Sequence, residues 1–555
     1  FLYTLSFTLF YLLSFSNNTF NVGIPFSHHF KLRDFKAASQ NWTIAQSPLG
    51  IMYFGNNDGL LEFDGQNWKL YELPSHSAIR SIYIDESERI FVGGADDFGY
   101  FQKNECGVLV YTSLSANLEN VNIQTVWKII PYNQSVYFIS GRKKIFKYDY
   151  KSVTEIKIPK SFSEFRGFLA GEHFFVFDNF AGLALVKNDT VYRYHQEMLP
   201  VGIAVYSILP YQKDKIIIGT RRHGLLQFDL SLFKPLSAQE SEVVTTNTLS
   251  QAKFQYYYPQ LKNEANELFK ENELYFGSIL SNGNYSFTTL KGGLFILSPE
   301  GKIIDYYSKN QGLMDNACFS TFEDREGNLW INTEKGITLM EFNNGFRTFN
   351  SENNLEGNIV SVLPFDDFIL VGSSAGLFKI TDSHNKPIKE KHRVDIVTND
   401  YIYILKIMTY LNNNQPKILF SSLRMIHELD AKGKTIKNLY SVYGTYKILP
   451  HPKNQNQFFI GSTSGIELVE KKESSFVSIK HLNDEDDVRD IILKDDCLFA
   501  STAYSGLLII KPIQTSTFDN FITIRYLSEN SLLPRNDKCY WQQLGDSLVV
   551  ITPSG

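Results

Sequence analysis

Arg221-Arg222-His223 is the most chemically pointed cluster in the chain. Two adjacent guanidiniums can grip a carboxylate, sulfate or phosphate through paired N–H donors. A plainer reading competes with this one: a solvated turn, or an ion pair with Asp96-Asp97 across a channel. It is favoured, because charged turns are mostly just hydrated. Asp96-Asp97 could instead ligate a cation, but no D-x-D-x-D-G loop surrounds them, and no metal is expected. Tyr504 and Trp541 could stack on a sugar ring, although isolated aromatics in strand-rich sequence more often serve packing. The acidic run at residues 483–487 reads as a solvated loop. There is no G-x-S-x-G elbow, P-loop or H-E-x-x-H, so no catalytic residue or cofactor is expected. His28-His29 has no matching ligand set, and Cys106, Cys318, Cys497 and Cys539 lack zinc spacing. Cys318 and Cys497 lie in apolar strand patterns and read as buried small hydrophobes.

These clusters share a position. Several stand just before a Gly-Leu, Gly-Ile or, at Gly99, Gly-Tyr step that opens a strand. The steps fall at Gly59, Gly99, Gly182, Gly224, Gly293, Gly336, Gly376, Gly465 and Gly506, with degenerate copies at Lys144 and Met425. Their spacing is mostly about 38 to 50 residues, the period of a four-stranded propeller blade. Residues 312–337 give the clearest copy: strand, Asp-Arg-Glu-Gly-Asn turn, strand, Glu-Lys-Gly turn, strand. Asp324, Gly327 and Trp330 there faintly suggest a sialidase Asp-box, but the blade pattern already accounts for them.

The expected fold is all-β, with tandem β-propellers. A first ring of about seven blades covers residues 35–350, and a second, incomplete ring of about five covers 351–555; a single larger ring is the alternative. The join is expected in the polar stretch 351–358. The long step from Gly224 to Gly293 implies an insertion at about residues 232–272. Leu261, Ala265, Leu268 and Phe269 there have the spacing of a short amphipathic helix. It is expected to join a fourth strand to the next first strand, on the face of the second-to-third strand turns. It would cap the channel, dock a partner, or simply pack. Those turns differ from blade to blade on a repeating scaffold, and that is where propellers carry function. The candidate ligand-binding residues are therefore Asp96, Asp97, Arg221, Arg222, His223 and Tyr504.

The formal charge of −5 argues against a nucleic-acid surface. Residues 1–15 form a nearly unbroken apolar run, short for a bilayer span, that reads as the core of a secretory signal. A buried strand or helix is the alternative. Residues 1–18 are thus expected to be a signal remnant, and the chain a fragment cut at both ends.

The stretch 312–337 and the run NWTIAQSPLGIMYFGNNDGLLEFDGQNW at residues 41–68 resemble the two-component regulator propeller repeat of Bacteroidetes-type regulators. The resemblance implies a periplasmic sensor region. It also implies a following three-tyrosine domain, a membrane helix and a cytoplasmic kinase or DNA-binding output. It implies a small ligand, an oligosaccharide in the well-studied relatives, and a sensor that works as a homodimer. It transfers no binding residue. The competing expectation is a secreted propeller that binds a glycan or protein partner with no signalling output.

Overall fold

The computed structural model describes residues 23–551, except 117, 119–121, 142, 201–202, 244–246, 344, 366–367, 382–393, 400–406, 413–414, 431, 435, 474, 484–486, 505, 514–519 and 527–538. The expected signal at residues 1–18 lies outside the described residues. The chain forms two compact units, one spanning Ile24–Thr348 and one starting at Phe349.

The first unit is a β-propeller of seven antiparallel sheets, six of them built from consecutive strands. The first strands of the sheets are Asn41–Gln46, Ile79–Ile84, Val126–Tyr132, Phe165–Ala170, Val205–Tyr211, Leu274–Ile279 and Cys318–Glu323. Each touches the next in chain order, and the seventh touches the first, so these strands line a closed central channel. Alternation of apolar residues along the strands fills the wedges between sheets. One wedge packs Tyr53 and Leu60 against Ile79 and Val92; the next packs Phe91 and Phe98 against Val126 and Phe138. The closing wedge sets Ile44 and Phe54 against Trp330 and Ile337. Each fully buried aromatic here contributes about 2–3 kcal/mol of burial.

The seventh sheet takes an outer strand from the start of the unit. Ile24–Phe30 pairs antiparallel with Gly336–Glu341, Phe30 opposite Ile337 and Phe26 opposite Glu341. A boundary at residue 35 therefore omits a strand of this ring. His28-His29 belongs to it: His28 Nε2 lies 2.9 Å from Glu341 Oε1, and His29 Nδ1 lies 3.3 Å from Thr338 Oγ1. The glycine that opens the third strand is explained by this pairing. Gly336 has φ 139°, and a Cβ on it would sit 2.3 Å from the Phe30 carbonyl oxygen. The motif-poor copies also open third strands, Lys144–Tyr148 and Met425–Leu429; ahead of the first, Lys143 itself adopts φ 58°.

The fifth sheet has only three strands, ending with Gly224–Asp229. The insertion starts after this third strand, not after a fourth as expected. Its residues 259–261 occupy the missing edge: Gln227 N–H donates to Pro259 O and Leu261 N–H to Leu225 O, each at 2.9 Å. Asn266 locks the arrangement, accepting from Leu225 N–H at 2.9 Å and donating to Leu261 O at 2.7 Å. The insertion holds short helices at Ala238–Ser241, Gln251–Tyr257 and Asn266–Asn272. Leu261 and Ala265 precede the last helix rather than lying in it, because Asn263 and Asn266 spend their side chains on loop backbone. Leu261, Ala265 and Phe269 still share one buried cluster. The rest of the insertion packs on the outer edge of the fourth sheet, with Leu236 N–H donating to Arg193 O and Leu249 N–H to Met198 O.

Among its described residues, the second unit holds four four-stranded sheets and the hairpin Tyr540–Leu544 with Ser547–Ile551. Cys318 is buried, as its strand pattern implies, but Cys497 is only half-buried.

Candidate functional site: a collar of rings and guanidiniums

Every first strand of the first unit begins the same way. A buried residue comes first: Asn41, Ile79, Val126, Phe165, Val205, Leu274 or Cys318. The second residue is flat and large: Trp42, Arg80, Trp127, Arg166, Tyr206, Tyr275 or Phe319. In six of the seven sheets, strand pairing skips this second residue; Arg166 alone pairs in register. A skipped residue is a β-bulge, and a bulge turns its side chain out of the alternating pattern. Here the bulges aim the second residues at one another around the channel.

The result is a nearly complete collar. The Arg80 guanidinium lies over Trp42 at 3.9 Å and faces Trp127 at 5.5 Å. Trp42 stacks on Phe319, with ring centres 5.1 Å apart. Phe319 meets Tyr275 edge-on at 5.7 Å, Tyr275 packs on Tyr206 at 4.8 Å, and Arg166 lies 3.8 Å over the Tyr206 ring. The chain of contacts opens only between Arg166 and Trp127. Beside that gap is a cavity of about 780 Å³, walled by Trp127 with Asp96, Asn122, Gln124, Thr125, Ser163 and Glu164. Burial pushes the Tyr275 hydroxyl pKa up, and the charges of Arg166, Arg80 and Arg221 pull against that shift. Burial likewise lowers the pKa of the Arg80 guanidinium.

The collar sits at the mouth that carries the second-to-third strand turns. Trp42 Nε1–H donates to Asn57 Oδ1 in the first such turn at 2.8 Å. At the third turn, a Cβ on Gly141 would fall 2.8 Å from Trp127 Nε1. The expected face is thus the one that carries the collar, but the expected residues are differently employed. Asp97 accepts from Tyr111 at 2.9 Å, Ser113 at 2.7 Å and Ser115 at 2.5 Å, which makes it a structural brace. Asp96 lines the cavity, where its Oδ1 accepts from Gln124 N–H at 3.1 Å. Arg221 and Arg222 do form an ion pair, but with Glu273 and not with Asp96-Asp97. Arg221 Nε donates to Glu273 at 2.7 Å, Arg222 at 3.1 Å and Lys291 at 2.8 Å. The partner escapes a linear reading because it stands 52 residues on, at the end of the insertion. Lys291, Arg221 and Arg222 together hold the Glu273 carboxyl at about 2. Burial, then Lys270, lower the pKa of His223. Tyr504 is 85% exposed in the second unit, and the central residues of the acidic run, 484–486, lie outside the described residues. The Trp541 ring packs edge-on against Phe499 at 5.2 Å. Asp324 accepts from Trp330 Nε1–H at 2.9 Å and from Asn328 N–H at 2.8 Å, so the Asp-box look is a turn brace.

The collar was legible only as a pattern: Asn-Trp-Thr-Ile, Ile-Arg-Ser-Ile, Val-Trp-Lys-Ile, Phe-Arg-Gly-Phe, Val-Tyr-Ser-Ile, Leu-Tyr-Phe-Gly and Cys-Phe-Ser-Thr. Aligning the blades on their first strands, and not on the glycine steps, would have exposed it.

No protein-family model and no curated protein matches the chain. Among solved structures, the chain is similar to the extracellular domain assigned to a hybrid two-component system, BT3049, of B. thetaiotaomicron. That likeness is 15% identical, covers 95% of this chain and 71% of the other, and has a TM-score of 0.65. It establishes a shared β-propeller fold. The extracellular domain assigned to a one-component system, BT4673, of the same organism matches at 15% identity over 97% of this chain and 77% of its own, with a TM-score of 0.43. Virginiamycin B lyase from Staphylococcus aureus matches at 12% identity over 57% of this chain and 99% of its own, with a TM-score of 0.41. Scores this low carry nothing about function.

Proposed function

We propose that the chain is the ligand-sensing part of an extracytoplasmic signal-transduction protein of the two-component type. Its ligand is a small molecule, an oligosaccharide, held at the collar of the first ring. The collar is the observation that carries this reading. Seven flat side chains, six of them turned out by bulges, stand around one channel mouth, beside a cavity walled by amides, hydroxyls and carboxylates. Aromatic faces take the C–H faces of sugars, and the surrounding polar groups take hydroxyls. The likeness in fold to an extracellular domain of a two-component system supports the sensing half. In this reading the chain works in the periplasm as a homodimer, with a membrane helix and a cytoplasmic kinase or DNA-binding output. Ligand binding shifts the population of protomer arrangements. No catalytic step is assigned to these residues.

The test begins with thermal-shift screening of the chain against oligosaccharides, followed by calorimetry on each hit. Trp42→Ala and Tyr275→Ala should each weaken a hit at least tenfold while the protein still melts cooperatively. Unchanged affinity in both would remove the collar as the site. A transcriptional reporter driven by the full-length protein should lose its response in Trp42→Ala. A reporter that responds as before would sink the sensing role of this mouth.

A further inference from the structure

We propose that the collar selects an acidic saccharide and that Arg80 is the residue that meets the sugar's carboxylate. This rests on the reading of the collar as a saccharide site and adds its charge and orientation.

The arginines at this mouth fall into two groups. Arg221 and Arg222 share Glu273 with Lys291, so their charge is answered within the protein. Among the described residues, Arg80 and Arg166 contact ring faces and no carboxylate. Arg80 is the more constrained. Two indoles face its guanidinium, at 3.9 Å and 5.5 Å, so only the edge that carries the N–H donors remains available. Its Nη1 is sealed from solvent and has no hydrogen-bond partner among the described residues, whereas Nε and Nη2 are not sealed and form the edge a ligand can reach. A part-desolvated cation short of partners is costly to maintain. A ligand anion at the Nε and Nη2 edge would offset this charge, although it leaves Nη1 as it is.

The surroundings narrow the anion. A guanidinium edge offers one planar fork, which matches a carboxylate. Asp96 and Glu164 line the adjoining cavity and would repel a ligand with several negative charges. Asn122, Gln124, Thr125 and Ser163 add neutral donors and acceptors suited to hydroxyls. Trp127, 44% exposed, borders both the cavity and Arg80, so a ring lying on that indole would bring a carboxylate to the Arg80 edge. A singly charged sugar acid fits this set better than a phosphate or a polysulfated chain. The cavity volume lies within the ordinary range for small-molecule sites.

The test is calorimetry on the whole chain with galacturonosyl-galactose and a hyaluronan disaccharide, each carrying one carboxylate, with galactobiose as the neutral control. At least one acidic probe should bind tenfold or more tighter than galactobiose, and more weakly as salt is raised. Arg80→Gln should abolish that preference, bringing the acidic probes down to the affinity of galactobiose for the same variant. Arg80→Lys, which keeps the charge but loses the fork, should recover only part of the preference. Cooperative melting of each variant guards against a folding defect. Galactobiose binding as tightly as the acids, with all affinity lost in Trp127→Ala, would overturn the charge selection and leave the saccharide site standing. Acid binding untouched by Arg80→Gln would overturn the role of Arg80. Binding untouched by both Trp42→Ala and Trp127→Ala would overturn the collar reading itself. Binding by neither acidic probe would overturn the proposal.

Discussion

His195 shows how firmly single residues pin the insertion to the ring. It is 2% exposed, with Nδ1 2.9 Å from the Glu197 carbonyl and Nε2 2.9 Å from the Tyr258 hydroxyl. The carbonyl can only accept, so Nδ1 carries the proton, and Nε2 accepts from the tyrosine. Burial is the main cause that lowers its pKa to about 4 from the usual 6.5. A group depressed in this way binds protons more readily when unfolded, so stability is full above pH 6.5 and falls between 6.5 and 4. That window is worth on the order of 3 kcal/mol. His195→Gln should flatten the acid limb of a melting-temperature profile; an unchanged limb would contradict the assignment. Glu273 acts lower on the scale. Its stabilisation is present above the unfolded carboxyl value of 4.5 and is lost as pH falls toward 2. Glu273→Gln should lower the melting temperature most at low salt and neutral pH, because three cations then face one another without their carboxylate. The arginines of this group were legible in the sequence as a cluster of charge. Their partner was not, because nothing local ties residue 221 to residue 273.

At the scale of elements, the repeat spacing and the glycine steps exposed the strands, while the edges escaped. Gly336 is a case where the cause of a step can be tested. An alanine there must bear φ 139° and a Cβ 2.3 Å from the Phe30 carbonyl. Gly336→Ala should cost about 3 kcal/mol in denaturant unfolding. Gly65→Ala, at φ 98° with nothing within 4 Å of the added carbon, should cost only about 1 kcal/mol. Equal costs would mean that the pairing with Ile24–Phe30 does not set the glycine. The collar escaped for a related reason. A bulge reverses the facing of one residue without altering composition, so Trp42 and Tyr206 read as ordinary strand aromatics until strand register is known. The missing fourth strand of the fifth sheet was visible only as extra length. That residues 259–261 fill it depends on Asn266, a single polar side chain in an otherwise unremarkable segment.

For the whole molecule, the first unit is closed on itself: seven wedges of core, and both ends of its chain joined in the seventh sheet. Residues 23–348 expressed alone should melt in one cooperative transition. The same piece begun at residue 31 should melt lower and more broadly, since it leaves the Gly336–Glu341 edge open. Two pieces with the same melting temperature would show that the closing strand is dispensable. The closure also sets a clock. Phe30 must wait for Ile337, about 300 residues later, before it has a partner. At 5–20 residues per second, that is roughly 15–60 s on a translating ribosome, during which the opening strand is exposed. Its partner edge is the last to be made, so the ring cannot shut while synthesis of the unit is under way. The first segment of the unit to emerge is thus the one whose sheet is completed last. A chaperone that shields this segment should raise the yield of closed rings more than one acting on any later blade.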